Sequence, residues 1–322
     1  MTLAPFVATL GRGPGRSRSL RFEEAQAAMR IMLSGKAAPE AIGALLMLMR
    51  MKGETPDEIA GFAQAARTSL PTFQTPPALD WPCYSAGRSR GAPWFLLAAR
   101  LVAQAGYPVL LHGWSTPSAT APSVRAGLGP AGIAQVTSCA AAEDRLARDG
   151  IVYLGLEHLS APLVDLLSLR AVLGLRSCLN TVVRMLNPGG AAAVVQGVFH
   201  PSYRDLQQAA GLRLGLQNLS IIKGGGGEFE RLPGKAITVA GLRDGSLWQD
   251  TAPALSADVR RLAEGPRDPD ALAALWAGTW DDEFARDLVL GTATLALETL
   301  GEAKPQALAH QLWIHRHRKA AA

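Results

Sequence analysis

Lys223 to Glu230 reads Lys-Gly-Gly-Gly-Gly-Glu-Phe-Glu and directly follows the apolar run Leu219-Ser220-Ile221-Ile222. A strand that empties into four glycines brings bare backbone close to something. Glycine alone reaches φ > 0 without steric cost and leaves N–H groups to face a ligand. One cation and two carboxylates flank the run, so it suits either a phosphate cradle or part of a metal site. As metal ligands, Glu228 and Glu230 need a further acid nearby in space, and the sequence offers no DxD or HxxE partner.

Three other clusters carry chemistry. Ser85-Ala86-Gly87-Arg88-Ser89-Arg90-Gly91 precedes a predicted helix that begins near Pro93. A Gly/Ser loop feeding a helix N-terminus suits an anion, and Arg88 and Arg90 strengthen it. Neither the P-loop nor the dinucleotide spacing is met, so a plain surface turn competes with that reading. His112-Gly113 ends a predicted strand; His112 donates to a phosphate, moves a proton, or is a structural hydrogen-bonder. Arg176 and Asn180 lie four apart and are expected on one helix face. There Arg176 either holds a carboxylate or phosphate, or is an ordinary surface arginine.

The elements that must position these groups follow from the pattern. Phe22 to Leu33 has apolar residues at helical spacing, with Glu23 and Glu24 in its first turn. Pro39 to Lys52 carries the stripe Ile42, Leu45, Leu46, Leu48 and Met49. Thr55-Pro56-Asp57-Glu58 opens a third helix, expected to reach about Leu70. Pro71 to Pro82 reads as a Pro/Thr-rich linker. Beyond it strands and helices alternate: strands at Val109–Leu111, Ile151–Leu154, Ala191–Phe199, Leu219–Ile222 and Ile237–Ala240, and helices over 93–106, about 163–186, 203–214 and 268–309. That alternation predicts an α/β fold, with a small N-terminal helical domain and a larger domain around a mostly parallel sheet. Ligands of such sheets sit beyond the carboxyl ends of the strands, where the Lys223 loop lies.

At 322 residues, with 48% hydrophobic and 18% charged content, the chain has a globular composition and no low-complexity block. The net charge of +5 is mildly basic and suits a polyanion only if clustered. Arginines do cluster at Arg12, Arg16, Arg18 and Arg21, and His315, Arg316, His317, Arg318 and Lys319 close the chain. Cys83, Cys139 and Cys178 are far apart and form no CxxC pair, so neither a disulfide framework nor a zinc site is indicated and reduced cytoplasmic thiols are expected. No apolar run approaches about 18 residues, so no membrane span is expected.

Together these segments resemble the anthranilate phosphoribosyltransferase-like family, which shares its fold with nucleoside phosphorylases. The matching runs include Arg50-Met51-Lys52-Gly53-Glu54-Thr55, Glu58-Ile59-Ala60-Gly61, His112-Gly113, Leu173 to Asn180, Leu186-Asn187-Pro188 and Gly197 to Pro201. They are collinear over roughly residues 8 to 245. The resemblance implies a helical domain over 1–75, joined by the helices of about 163–186, and an α/β domain over 76–322. It also implies a homodimer through the helical domains, and binding of phosphoribosyl pyrophosphate and magnesium between domains.

The departures from that family point elsewhere. Its Gly-Thr-Gly-Gly-Asp loop stands here as Tyr84-Ser85-Ala86-Gly87-Arg88, and its Asn-x-Ser-Thr element as Pro93-Trp94-Phe95-Leu96. Its Lys-His-Gly-Asn motif has become Leu111-His112-Gly113-Trp114, and its metal-binding Asp-Glu pair falls at Glu228-Phe229. Phosphoryl chemistry depends on neutralising charge on oxygen, and these changes remove groups that do so. The Pro93-Trp94-Phe95-Leu96-Leu97 run and the Lys223 to Glu228 loop are closer to a divergent YbiB-type branch, which is associated with nucleic-acid binding. The expectation is therefore a cytoplasmic homodimer, with no cofactor, that binds nucleic acid without strong sequence preference. Arg12, Arg16, Arg18, Arg88, Arg90, Arg316, Arg318 and Lys319 are the expected contacts. The alternative is an active glycosyl- or phosphoribosyltransferase that uses magnesium. In that case Ser85, Gly87, Arg88, His112, Gly113, Arg176, Lys223, Gly224 and Glu228 would line an anion-binding cleft. A structural dimer that binds only a small anion would do neither.

Overall fold

The computed structural model describes residues 2–13, 15–84, 91–115 and 123–317. Of the residues singled out above, Ser85, Gly87, Arg88, Arg90, Arg318 and Lys319 lie outside them.

The helical part forms where its local signals place it. Phe22–Leu33 and Pro39–Lys52 are helices with the expected bounds. The third helix is Pro56–Arg67. Its start is a reciprocal cap: the Glu58 backbone N–H donates to Thr55 Oγ1 (3.3 Å), and the Thr55 N–H donates to Glu58 Oε2 (2.8 Å). Glu58 also accepts from the Leu20 N–H, so one buried carboxylate ties this helix to the segment before Phe22.

The described residues form one eight-stranded sheet. Its strands are β1 (Leu79–Cys83), β2 (Val109–Gly113), β3 (Gln135–Val136), β4 (Ile151–Gly155), β5 (Ala193–Val198), β6 (Asn218–Lys223), β7 (Ile237–Arg243) and β8 (Ser246–Ala252). The order is β3-β4-β2-β1-β5-β6-β7-β8. Pairings from β3 across to β6 are parallel, while β7 and β8 are antiparallel. The chain is thus an α/β protein with a small N-terminal helical domain and a mostly parallel mixed sheet.

Two expectations need correcting. The Pro71 to Pro82 linker ends in β1, a fully buried central strand that contains Pro82. Proline is tolerated because β5 registers only with Leu79 and Asp80, so the ladder on that side has ended before Pro82. The predicted helical span 163–186 is broken into Ala161–Ser168, Arg170–Leu173, Leu179–Val182 and a 3₁₀ turn at Val183–Met185. Gly174, at φ 69°, takes the left-handed conformation that ends a helix. Arg176 therefore sits in the connecting segment, off any helix face shared with Asn180.

The sheet's two faces make two cores. Leu110, Val152, Val194 and Ile221 face the helical side, where Leu163, Leu179 and Val182 pack in the same core as Leu45, Met49 and Phe62. Their neighbours in sequence, Val109, Leu111, Ile151, Tyr153, Val195 and Ile222, face helix Phe95–Gln104 and the C-terminal helices Glu283–Thr299 and Pro305–Ile314. This period of two is what a sheet buried on both faces requires. Among the described residues, no helix is long and apolar enough to cross a membrane.

Candidate functional site

The carboxyl ends of β1, β2, β5 and β6 converge, and most of the described candidate residues lie there. His112 is on β2, yet its ring is fully buried. Its Nδ1 lies 2.9 Å from the Tyr84 hydroxyl and its Nε2 lies 3.2 Å from Asp80 Oδ1. Burial pushes the Tyr84 phenol well above its ordinary value. One ring nitrogen is committed to Asp80 on β1 and the other to Tyr84 just beyond it, so the buried His112 fastens two strands and presents no face to a ligand. Gly113 is needed for that junction, because a Cβ there would lie 2.2 Å from the Cys83 carbonyl oxygen.

The glycine run after β6 is not an open loop. Gly225–Gly227 makes a 3₁₀ turn in which Gly226 takes φ 64° and Gly227 φ 87°. The turn folds the chain back on itself: a Cβ at Gly224 would lie 1.7 Å from the Glu228 carbonyl oxygen, and one at Gly197 2.0 Å from the Glu228 carbonyl carbon. Glycine is required here for close approach of backbone to backbone. Lys223 is exposed, whereas Glu228, Phe229 and Glu230 are buried.

Glu230 decides what the site can accept. Its Oε1 accepts from the backbone N–H of Phe95, the first residue of helix Phe95–Gln104, at 3.2 Å. That helix N-terminus, fed by the Ser85 to Gly91 segment, is open in the sequence to reading as an anion site or a plain turn, and an internal carboxylate is bonded to it. Phe229 packs edge-on against Trp81 (centroids 5.5 Å apart), and Phe95 stacks on Trp81 at 6.1 Å.

The sequence reading missed two arginines at this site. Arg184 is buried in the 3₁₀ turn after the broken helices. It donates to the Tyr84 carbonyl at 3.0 Å and to the Asn180 carbonyl at 2.5 Å. Burial lowers its pKa while Glu228 opposes the shift, and Arg176 adds to it. Arg67 donates from helix Pro56–Arg67 to the carbonyls of Met185 and Leu186, and burial holds it down at about 10. Arg184 interrupts the apolar run Val182 to Leu186, its only sequence signal, and Arg67, followed by Thr68 and Ser69, offers none. Arg176 is half-buried, and its carbonyl accepts from Arg50.

Magnesium needs one or two carboxylates that face the ligand's phosphates. The available pair, Glu228 and Glu230, is turned inward. The segments 85–90 and 116–122 contain no Asp, Glu, His or Cys. No group of three or more such residues gathers with metal-holding geometry among the described residues. Among the described residues, the carboxylates at this end of the sheet do not fit a magnesium site.

The expected nucleic-acid contacts divide in the same way. Arg12 and Arg16 are exposed. Arg18 pairs with Glu24 at 2.6 Å and holds that carboxyl at about 2. In an Arg18→Ala variant the Glu24 carboxyl should titrate back towards the ordinary glutamate range, followed by NMR, and an unchanged titration would show that the pair is not formed in solution. Arg316 is committed to structure: its Nε donates to the Trp276 carbonyl at 2.7 Å, and its guanidinium lies 4.3 Å over the Trp313 ring. It anchors the C-terminal helix in place of a polyanion.

Comparison with known proteins places the fold. A helical bundle domain of a glycosyl transferase family matches residues 5–70. The anthranilate phosphoribosyltransferase of Pelotomaculum thermopropionicum is 32% identical over 290 residues, 88% of this chain and 84% of the relative. The chain belongs to the anthranilate phosphoribosyltransferase family. The Rhizobium meliloti family member is 29% identical over 320 residues, covering 94% of this chain and 89% of its own. The crystal structure of the Thermus thermophilus family member superposes with a TM-score of 0.78, at 24% identity and 98% coverage of both chains. A Saccharomyces cerevisiae family member, solved in complex with PRPP and Mg, gives 0.76 at 16% identity, covering 98% and 93%.

Proposed function

We propose that this chain is a family member that holds nucleic acid on its helical domain and has closed its own phosphoribosyl donor site. The observation that carries the polyanion reading is where the charge lies. Residues 1–53 hold eight Lys and Arg against three Asp and Glu, a surplus of five that equals the net charge of the whole chain. Arg12, Arg16, Arg21, Arg30, Lys36, Arg50 and Lys52 are all exposed there. Phosphate contacts of this kind give affinity without base readout, in keeping with the YbiB-type branch and a cytoplasmic setting. A homodimer through the helical domain would double the surface. Exposed Met51 (84%) and Val172 (82%) supply apolar area for it, on helices that meet where Gly43 approaches Leu173.

Catalysis by an active phosphoribosyltransferase is the second reading, and the comparisons favour it. The relatives are anthranilate phosphoribosyltransferases along nearly the whole chain. Isothermal calorimetry with millimolar phosphoribosyl pyrophosphate and magnesium separates the two. A donor site closed by Glu230 gives no heat. Measurable binding, with transfer to anthranilate, would overturn the closed-site reading and establish the enzyme.

A further inference from the structure

A cavity of about 570 Å³ lies at the antiparallel edge of the sheet, between the β7–β8 hairpin and helices Glu283–Thr299 and Pro305–Ile314. Its size is in the range of small-molecule sites, and it shares no lining with the convergence of β1, β2, β5 and β6. Val239, Leu255 and Leu290 supply apolar wall, while Asp250, Asp287 and Glu298 supply carboxylates.

The cation in this wall is built in. Arg231 is only 4% exposed. Its backbone N–H donates to Thr292 Oγ1 at 2.9 Å and its Nη2 to the Pro253 carbonyl at 2.6 Å. Gly291 makes room for it: a Cβ there would lie 3.0 Å from Arg231 Cδ and 2.4 Å from Leu255 Cδ1. Arg231 Nε has no hydrogen-bond partner among the described residues. A buried charged donor left idle is costly, and a carboxylate is the acceptor that matches it best. Glu298 is already engaged by Arg243, which lies 3.8 Å over the Trp248 ring. Asp287 makes no ion pair within 4 Å among the described residues, and burial raises its pKa. One wall thus offers an idle donor on a fixed cation, another an unpaired carboxylate, with apolar surface between them.

We propose that this cavity binds a small zwitterion with an apolar body, an amino acid or short peptide, its carboxylate on Arg231 and its ammonium facing Asp287. Arg231 Nε is closed to solvent, so the carboxylate enters as Leu255, 38% exposed and seated on Gly291 beside Arg231, swings aside.

The test uses the full chain with L-leucine, L-phenylalanine and leucyl-leucine, each at about 10 mM. At least one should raise the melting temperature by about 2 °C through preferential binding to the folded state. The single-charge analogues of leucine, 4-methylpentanoate and 3-methylbutylamine, should bind at least about tenfold more weakly, because each forfeits one charge-assisted contact. Arg231→Gln should abolish the response. Because that buried change endangers the fold, Thr294→Trp is the second variant: Thr294 is partly exposed on the wall, and a Trp there fills the cavity. No response to any of the three zwitterions would overturn the proposal. So would an equal response to the amine alone, or a response that survives Thr294→Trp.

Discussion

Single-stranded DNA titrated into the protein should bind with an affinity that falls on the order of a thousandfold between 50 and 200 mM salt, as several phosphate contacts require. Residues 1–53 carry a surplus of five positive charges, equal to the net charge of the whole chain, and most of the cations there are exposed. A double reversal, Arg12→Glu with Arg16→Glu, changes two exposed groups that make no ion pair among the described residues, so stability should stay within roughly 0.5 kcal/mol of the parent. The slope of log affinity against log salt should become shallower by roughly one for each phosphate contact removed. The corresponding change at Arg316 should leave the slope alone and lower the melting temperature, since Arg316 is bonded to the Trp276 carbonyl and stacked on Trp313. Fluorescence anisotropy reads both. An affinity no tighter than roughly 10⁻⁴ M at physiological salt, the weak end of non-specific binding, would remove nucleic acid from the account. A slope that ignores the Arg12 and Arg16 reversals would place the contacts elsewhere.

The helical domain was legible because its signals are local. Pro39, Thr55 and Glu58 act within one turn of where they stand, and all three behave as their types require. The parallel strands were legible as apolar runs that the two cores demand. β1 was not, because Pro82 and its neighbouring prolines mimic a linker; only the early end of the β5 ladder makes a central proline acceptable. Arg176 was placed on a helix because its spacing to Asn180 fits one, and a single left-handed Gly174 undoes that. The site itself was half legible. The glycine run marks the ends of the strands correctly, but composition cannot say which way a carboxylate turns. Glu228 and Glu230 read as groups offered to a ligand, and three-dimensional closure turns both inward. Arg67 and Arg184 were hidden for the same reason: each donates to a backbone carbonyl 100 or more residues away in the chain, and no motif encodes such a partner.

Glu230 carries the second large effect. Its carboxylate is fully buried on the N–H of Phe95, at the positive end of helix Phe95–Gln104. Replacing it by alanine leaves the buried Phe95 N–H without that acceptor, worth about 1–3 kcal/mol. Glu230→Ala should therefore lose about 1–3 kcal/mol in urea unfolding, with an unchanged m-value if the fold is kept. Glu230→Gln keeps the shape and one acceptor but removes the charge that faces the helix dipole, so it should lose less. The same alanine variant tests the closed donor site from the other side. With the internal anion gone, the helix N-terminus regains its capacity for an external one. Pyrophosphate, silent with the parent, should then bind Glu230→Ala at millimolar concentration and recover part of the lost stability by linkage. A variant that unfolds at the expected cost yet ignores pyrophosphate would leave Glu230 a structural cap and nothing more. A parent protein that already binds pyrophosphate as tightly as the variant would show that the carboxylate never closed the site.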